Sequence, residues 1–386
     1  MLSRTTVLLA MTGAAALVAR PLGHSPIVSA SNQAFYHVQA TWTPVGPTPH
    51  FAGVDPRLHK LFVSNLAHGT VTVLNTQTGK IIGTIPLGGT VHTVMVDQQT
   101  QTVYVTDIQR GLLDVINART DRVEREIPVG GHPHGLAVSQ RLHEVLVSNI
   151  SLNAVEVVNL HTNKVTRTIP VGPNPWGVTV NPRTDMIYAA NTGINPFASR
   201  PSQQVNPHGD SVTVINGKTF RVVTTVPVGP HPWNIVANVA NDQVYTGVSG
   251  ANEVAVLQQN RVAKDIPVGQ SPHGIALDGP LHRLLVNDSL SNQVSIIDTQ
   301  QNRLVQTLPT GRQPQGITVN ERTGTAFAVN QASQSVTVLG LNPMRGQHAI
   351  HALLATEGHL VRQWARMTQQ ILNTIAHSHP VDTAPS

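Results

Sequence analysis

The chain of 386 residues contains no cysteine. Disulfide bonds, covalent attachment of a c-type haem and a lipid anchor on cysteine are therefore all excluded. Aromatic residues make up only 4% of the chain and charged residues only 12%. Helical proteins carry more charge than this. Val, Thr, Ile, Asn, Gly and Pro are abundant, and this composition is typical of many short strands joined by tight turns.

Basic residues are in slight excess, with a formal net charge of +5, but they form no run along the chain. A scattered excess of this size gives no electrostatic footprint for a polyanion. The sequence therefore does not favour a nucleic-acid partner.

The first thirty residues have the pattern of a signal peptide. Arg4 gives a basic start, residues 5–19 are apolar, and Val28-Ser29-Ala30 fits the small-residue rule for cleavage after Ala30. An uncleaved membrane anchor is the alternative. No later stretch is apolar enough to span a bilayer, so we expect a mature chain without a transmembrane span, in the periplasm or secreted.

The remaining chain is repetitive. One short phrase, an apolar residue or Thr followed by proline, a further residue and glycine, recurs at intervals of about forty residues. Its seven copies begin at Thr43, Ile85, Ile127, Ile169, Val226, Ile266 and Leu308.

Each repeat contains four short apolar runs separated by Asn, Ser, Gly or Pro. In the third repeat the runs are residues 135–139, 144–148, 154–159 and 164–169. Four strands at this period are typical of a propeller blade, so we predict an all-β, seven-bladed β-propeller over residues 31–341.

The two ends of the repeat region are complementary. The seventh repeat stops after its third run, and residues 37–46 match the missing fourth run. We therefore expect an N-terminal strand to complete the last blade, which would close the ring and remove two open sheet edges.

A motif near the second run of each repeat carries a family resemblance. Tyr104-Val105-Thr106-Asp107 is its best copy, and Phe62-Val63-Ser64-Asn65 and Leu146-Val147-Ser148-Asn149 are looser copies. Over roughly residues 35–341 the chain resembles the YVTN-repeat β-propellers. This resemblance implies the fold but leaves the function open, since similar propellers serve as binding proteins, surface-layer components and relatives of lactonases and haem d1 proteins.

Residues 342–386 depart from the repeat. Apolar residues at three- and four-residue steps, among them Leu353, Val361 and Trp364, predict an amphipathic helix followed by a disordered tail. Docking on the propeller, a dimer contact and a membrane surface are the alternatives for this helix.

The candidate ligand site comes from one repeated position. Propeller connectivity places the start of the innermost strand of each blade at one end of the central channel, here called the top. That position holds His50, His92, His134, Trp176, Trp233, His273 and Gln315. No member of this ring is aliphatic, and a plain packing position would be.

A second repeated position follows about fifteen residues later. It holds Asn65, Asp107, Asn149, Asn191, Val248, Asp288 and Asn330. We expect Asp107 to lie beside His92, and Asp288 beside His273, where each carboxylate would orient an imidazole and raise its basicity. An insertion within residues 192–210, containing His208, is expected to project over the same mouth.

Three interpretations of the ring remain open at this point. Imidazoles from neighbouring blades suit Cu, Zn, Ni or Fe, with His50, His92 and His134 as the candidate metal ligands. His92 or His273 could instead act as a general acid or base on a small polar substrate. The ring could also be a polar turn contact copied by duplication, with no chemistry.

We therefore predict an exported binding protein with a His/Trp-lined site at the top of the channel, with a metal ion as one candidate ligand. The predicted ligand-binding residues are the seven ring residues with Asp107 and Asp288. A lactonase-like hydrolase or lyase acting at the same site is the alternative, with catalytic residues unassigned because no cysteine or nucleophile-elbow serine is visible. The expected partner is a small molecule, a metal ion or a protein bound on the top face.

Overall fold

A computed structural model describes residues 36–200 and 204–342, which form 28 strands and the short 3-10 helix Leu66–His68. The predicted signal peptide and C-terminal helix lie outside the described residues. The strands are β1 (Tyr36–Trp42), β2 (Pro49–Asp55), β3 (Lys60–Asn65), β4 (Thr70–Asn75), β5 (Ile81–Pro86), β6 (Val91–Asp97), β7 (Thr102–Asp107), β8 (Leu112–Asn117), β9 (Arg122–Pro128), β10 (Pro133–Ser139), β11 (Glu144–Asn149), β12 (Ala154–Asn159), β13 (Lys164–Pro170), β14 (Pro175–Asn181), β15 (Met186–Asn191), β16 (Ser211–Asn216), β17 (Arg221–Pro227), β18 (Pro232–Asn238), β19 (Gln243–Val248), β20 (Glu253–Gln258), β21 (Arg261–Pro267), β22 (Pro272–Asp278), β23 (Arg283–Asp288), β24 (Gln293–Asp298), β25 (Arg303–Pro309), β26 (Pro314–Asn320), β27 (Thr325–Asn330) and β28 (Ser335–Leu341).

The strands form seven antiparallel sheets of four strands each, so the predicted all-β, seven-bladed propeller is confirmed. Blades 1 to 6 follow chain order, from β2-β3-β4-β5 to β22-β23-β24-β25, and blade 7 has the order β26-β27-β28-β1. Within each blade we call the strands a to d in that order. The seven a strands contact one another in a closed circle around the central channel.

Burial of the strands follows their place in the blade. Strands b and c are covered on both faces by neighbouring blades, and Glu144–Asn149 is accordingly buried at every residue. Strand d lies at the outer edge of the blade, and Arg122–Pro128 is exposed except at Ile127. Loops d–a and b–c lie on the top face, and loops a–b and c–d on the opposite face, the bottom.

The N-terminal strand closes the ring as predicted. β1 pairs antiparallel with β28, with Tyr36 opposite Leu341 and Trp42 opposite Val336. The Tyr36 side chain is 2% exposed and its hydroxyl donates a 2.7 Å hydrogen bond to the Asp278 carboxylate of blade 6. One residue of the closing strand therefore ties blade 7 to blade 6.

Within residues 36–200 and 204–342, no helix is long and apolar enough to cross a membrane.

We predict that Tyr36 is a main determinant of ring closure. Tyr36→Ala should lower the free energy of unfolding by roughly 3–5 kcal/mol, because a buried aromatic side chain is lost. Tyr36→Phe should cost roughly 1–3 kcal/mol, because the buried Asp278 carboxylate loses a donor. Urea denaturation measures both values. Val38→Ala, at a more exposed position of the same strand, is the control and should stay within about 0.5 kcal/mol of wild type.

Candidate functional site

The predicted ring residues occupy one equivalent place in all seven blades. Each is the second residue of an a strand, from His50 in Pro49–Asp55 to Gln315 in Pro314–Asn320. Trp233 is partly buried, and the other six members are at most 9% exposed. The ring therefore lies against the channel axis and not on the open surface.

The aromatic members of the ring touch in sequence order. The ring centroids of His50 and His92 are 4.3 Å apart, and those of His92 and His134 are 3.6 Å apart. The series continues through His134–Trp176 at 4.0 Å, Trp176–Trp233 at 3.9 Å and Trp233–His273 at 4.8 Å, and His273 returns to His50 at 5.9 Å. We call these six side chains with Gln315 the aromatic plug, because they converge across the top of the channel.

Glycine permits this convergence. Gly135 directly follows His134, and a Cβ atom there would lie 2.3 Å from the carbonyl oxygen of Trp176 in the next blade. A Cβ at Gly177 would lie 2.7 Å from the carbonyl oxygen of Trp233. Neighbouring a strands thus approach more closely than any side chain at these positions allows.

Hydroxyl groups of strand b lock three ring residues, His92, His134 and Trp176, to the preceding blade. Thr106 Oγ1 donates to the His134 carbonyl at 2.8 Å and accepts from the Thr93 amide of its own blade at 3.1 Å. Ser64 and Ser148 make the same pair of bonds, to the carbonyls of His92 and Trp176. Sequence reasoning missed these three residues, although each stands at the third position of a YVTN-like motif.

Burial keeps the plug imidazoles uncharged at neutral pH. Desolvation, with a smaller contribution from His273, lowers the pKa of His50 to about 3, and desolvation lowers the pKa of His273 to about 4. The pKa values of His92 and His134 lie well below 6.5, first through desolvation and then through the neighbouring imidazoles. A neutral imidazole keeps one nitrogen lone pair for a ligand.

The expected imidazole–carboxylate pairs are wrong. Asp107 accepts hydrogen bonds from the Thr90 amide at 3.1 Å and from Arg110 Nε at 2.6 Å. His92 Nδ1 instead lies 3.1 Å from Thr93 Oγ1. The register pairs Asp107 with Val91, one residue before His92. Because successive side chains of a strand point to opposite faces, this offset turns the carboxylate away from the imidazole.

Asp288 follows the same pattern. Its carboxylate accepts from Ser295 Oγ at 2.7 Å and from Gln293 Nε2 at 2.9 Å, and its register partner is Pro272 and not His273. The Asn/Asp ring therefore supports the top loops, and Asp107 and Asp288 do not face the plug.

The blade-4 insertion does reach the plug, as predicted. Trp176 Nε1 donates to the Ile194 carbonyl at 3.3 Å, and the Phe197 ring stacks on His132 with centroids 4.1 Å apart. His208 is exposed, and its amide donates a hydrogen bond to Asn206 Oδ1. The insertion thus covers the blade-3 and blade-4 side of the mouth.

The distances between ring centroids can be compared with those expected if His50, His92 and His134 bound one metal ion. Two imidazoles bound to one tetrahedral ion have ring centres roughly 5 Å apart. The His92–His134 separation of 3.6 Å is shorter and is that of rings packed on one another. In the described part of the chain, no group of three or more His, Asp or Glu residues is arranged to hold a metal ion. Metal binding by the ring stays a prediction.

A cavity of about 360 Å³ lies in the channel and is lined by strand a of all seven blades. Val, Ile, Leu and Ala side chains line most of it, and Thr93, Thr179, Asn234 and Thr318 add polar groups. Phe51 belongs to its wall and contacts His50, His92 and His273. The plug is therefore continuous with a cavity of ligand size.

The fold and the ring define a seven-bladed β-propeller with a closed, histidine-rich channel end. No family model matches the chain, so the YVTN resemblance stays a prediction. No curated protein matches the sequence either. Among solved structures the chain is similar to Kuenenia stuttgartiensis hydrazine synthase, with a TM-score of 0.64, 19% identity, and coverage of 76% of this chain and 95% of that one. At this identity the likeness supports the fold alone.

The buried imidazoles generate a prediction about acid stability. Their folded pKa values lie below the ordinary value of 6.5, so the unfolded state takes up their protons first as the pH falls. The free energy of unfolding is therefore unaffected by these histidines above about pH 6.5. Below that pH it falls by up to about 1.4 kcal/mol per pH unit for each histidine, down to about pH 4 for His273 and about pH 3 for His50.

The double variant His50→Phe, His273→Phe should therefore lose less stability than wild type between pH 6.5 and pH 4. Urea denaturation at several pH values measures this difference, and titrating groups outside the plug cancel because both proteins contain them. His161→Phe, in an exposed bottom loop, is the control. Parallel stability curves for the double variant and wild type would contradict the assignment of buried, neutral imidazoles.

Proposed function

We propose that this propeller is an exported binding protein whose ligand is held at the top of the central channel by the aromatic plug. The observation that carries the proposal is His50 Nδ1, which is buried in the plug and has no hydrogen-bond partner among the described residues. An unpartnered buried polar atom costs about 1–3 kcal/mol. A ligand that supplies a partner recovers that energy on binding.

The chemistry of the plug indicates the kind of ligand. Its imidazoles are uncharged at neutral pH and present nitrogen atoms, and its two indoles present flat apolar surface. Trp233 is the more accessible indole, and the insertion covers the Trp176 side. These features suit a small molecule with an apolar body and a hydrogen-bonding group, entering beside Trp233.

A metal ion is the second candidate ligand, because neutral imidazoles are the form that binds metals. It would require His50, His92 and His134 to move apart from their packed arrangement. Enzymatic activity has less support, since Asp107 and Asp288 bond to other groups and leave the imidazoles without a carboxylate partner.

We predict that the purified chain, made without a histidine tag, carries a bound molecule or ion that depends on the plug nitrogens. The test compares wild type with the triple variant His50→Phe, His92→Phe, His134→Phe, which keeps the rings and removes the nitrogens. Native mass spectrometry reports a bound small molecule, and elemental analysis reports Cu, Zn, Ni or Fe.

The matched control is His143→Phe, His161→Phe, which alters two histidines in contact on the bottom face of blade 3. A bound species in wild type and control but not in the triple variant would support the proposal. If wild type carries no small molecule and takes up none of the four metals at neutral pH, the proposal is overturned. Equal binding by all three proteins would overturn it as well.

A further inference from the structure

The bottom face carries a repeated charge pattern that the plug does not explain. In six blades, a cation stands five residues before the apolar residue of the proline phrase, at the bottom end of strand d. These residues are Lys80, Arg122, Lys164, Arg221, Arg261 and Arg303. All six are exposed, and we call them the basic rim.

The basic rim lies at one level of the propeller. In blades 2 to 6 each cation pairs in register with the last residue of strand c, as Arg122 does with Asn117 and Arg221 with Asn216. In blade 1 the Lys80 carbonyl accepts from the Asn75 amide at 2.9 Å, at the equivalent place. Because the blades form a closed circle, six equivalent positions lie around the edge of one face.

Carboxylates do not neutralise the rim. No rim cation has a carboxylate partner within residues 36–200 and 204–342. Several bottom-face carboxylates turn inward, and Asp55 and Asp298 accept hydrogen bonds from the amides of their own turns. The cations therefore face solvent while many of the acids are buried.

An aliphatic residue follows every rim cation. Ile81, Val123, Val222 and Leu304 are exposed, and blades 1 and 4 add Ile82 at 51% and Val223 at 50% exposure. Exposed aliphatic side chains beside cations form a surface with both an electrostatic and an apolar component.

We propose that the basic rim docks the propeller on an anionic lipid membrane surface, with the bottom face toward the lipid. Basic side chains gain energy near anionic headgroups, and adjacent aliphatic side chains insert at the headgroup boundary. A wide circle of cations matches a plane. Duplex nucleic acid fits less well, because it presents a narrow rod and gains nothing from exposed Ile and Val. Docking in this orientation leaves the aromatic plug facing away from the membrane.

The experiment is vesicle co-sedimentation of the full chain with phosphatidylglycerol–phosphatidylcholine vesicles and with pure phosphatidylcholine vesicles. The test variant is Arg122→Gln, Lys164→Gln, Arg221→Gln. The control variant Arg125→Gln, Arg200→Gln, Lys264→Gln removes the same charge at exposed positions outside the basic rim, three residues further along strand d at Arg125 and Lys264 and in the blade-4 insertion at Arg200. All three proteins share the same termini, so any binding by the terminal segments is common to them.

We expect wild type to prefer anionic vesicles, and the rim variant to lose about 5-fold in affinity per charge, or about 100-fold for three. The control variant should lose much less. Raising the salt from about 0.1 M to about 1 M, which shortens the screening length from about 10 Å to about 3 Å, should weaken wild-type binding. The double variant Ile81→Ser, Ile82→Ser, made in the wild-type chain, should also bind anionic vesicles more weakly than wild type, although its charge is unchanged.

Three outcomes would overturn the proposal. Equal loss in the rim and control variants would show an effect of net charge alone. Equal binding to neutral and anionic vesicles would remove the electrostatic basis. Binding of a short duplex DNA without binding of vesicles would assign the rim to a polyanion. Circular dichroism of each variant confirms that a loss of binding is not a loss of fold.

Discussion

In blades 1 to 3, a hydrogen bond from a strand-b hydroxyl to the ring-residue carbonyl of the next blade is the contact on which the histidine-rich side of the channel end depends. Thr106 uses one oxygen to accept from its own strand a and to donate to His134. The bond sets the distance between blades where side chains must converge, and the adjacent glycine Gly135 removes the atom that would prevent the approach. With the backbone held this way, the ring side chains pack on one another and exclude water.

Exclusion of water decides the chemistry of the plug. Desolvation keeps the imidazoles neutral, so the ring is a set of nitrogen lone pairs and flat faces and not a cluster of charge. The opposite end of the molecule has the opposite character, because exposed cations such as Arg221 stand at the bottom ends of its outer strands. The aromatic plug on the top face is thus neutral and the basic rim on the bottom face is positively charged, so the two faces suit different partners.

Much of this was predictable from the sequence. The proline-glycine phrase gave the blade period, the incomplete seventh repeat and residues 37–46 predicted the closing strand, and the ring position was identified in every blade. The roles of Asp107 and Asp288 were not predictable, because a one-residue offset in register reverses the face of a strand that a side chain occupies. The Thr106 bond was also missed, since its acceptor belongs to another blade.

The sequence by itself determined the number of blades, the way the ring closes and which residues start each inner strand, because these follow from local period and strand pairing. The tertiary structure alone decided that those residues form a packed plug and not an open mouth. It also decided that the carboxylates face the loops and that the imidazoles are desolvated. Those properties depend on distances between blades, and such distances are set by packing across the whole ring and not by any one repeat.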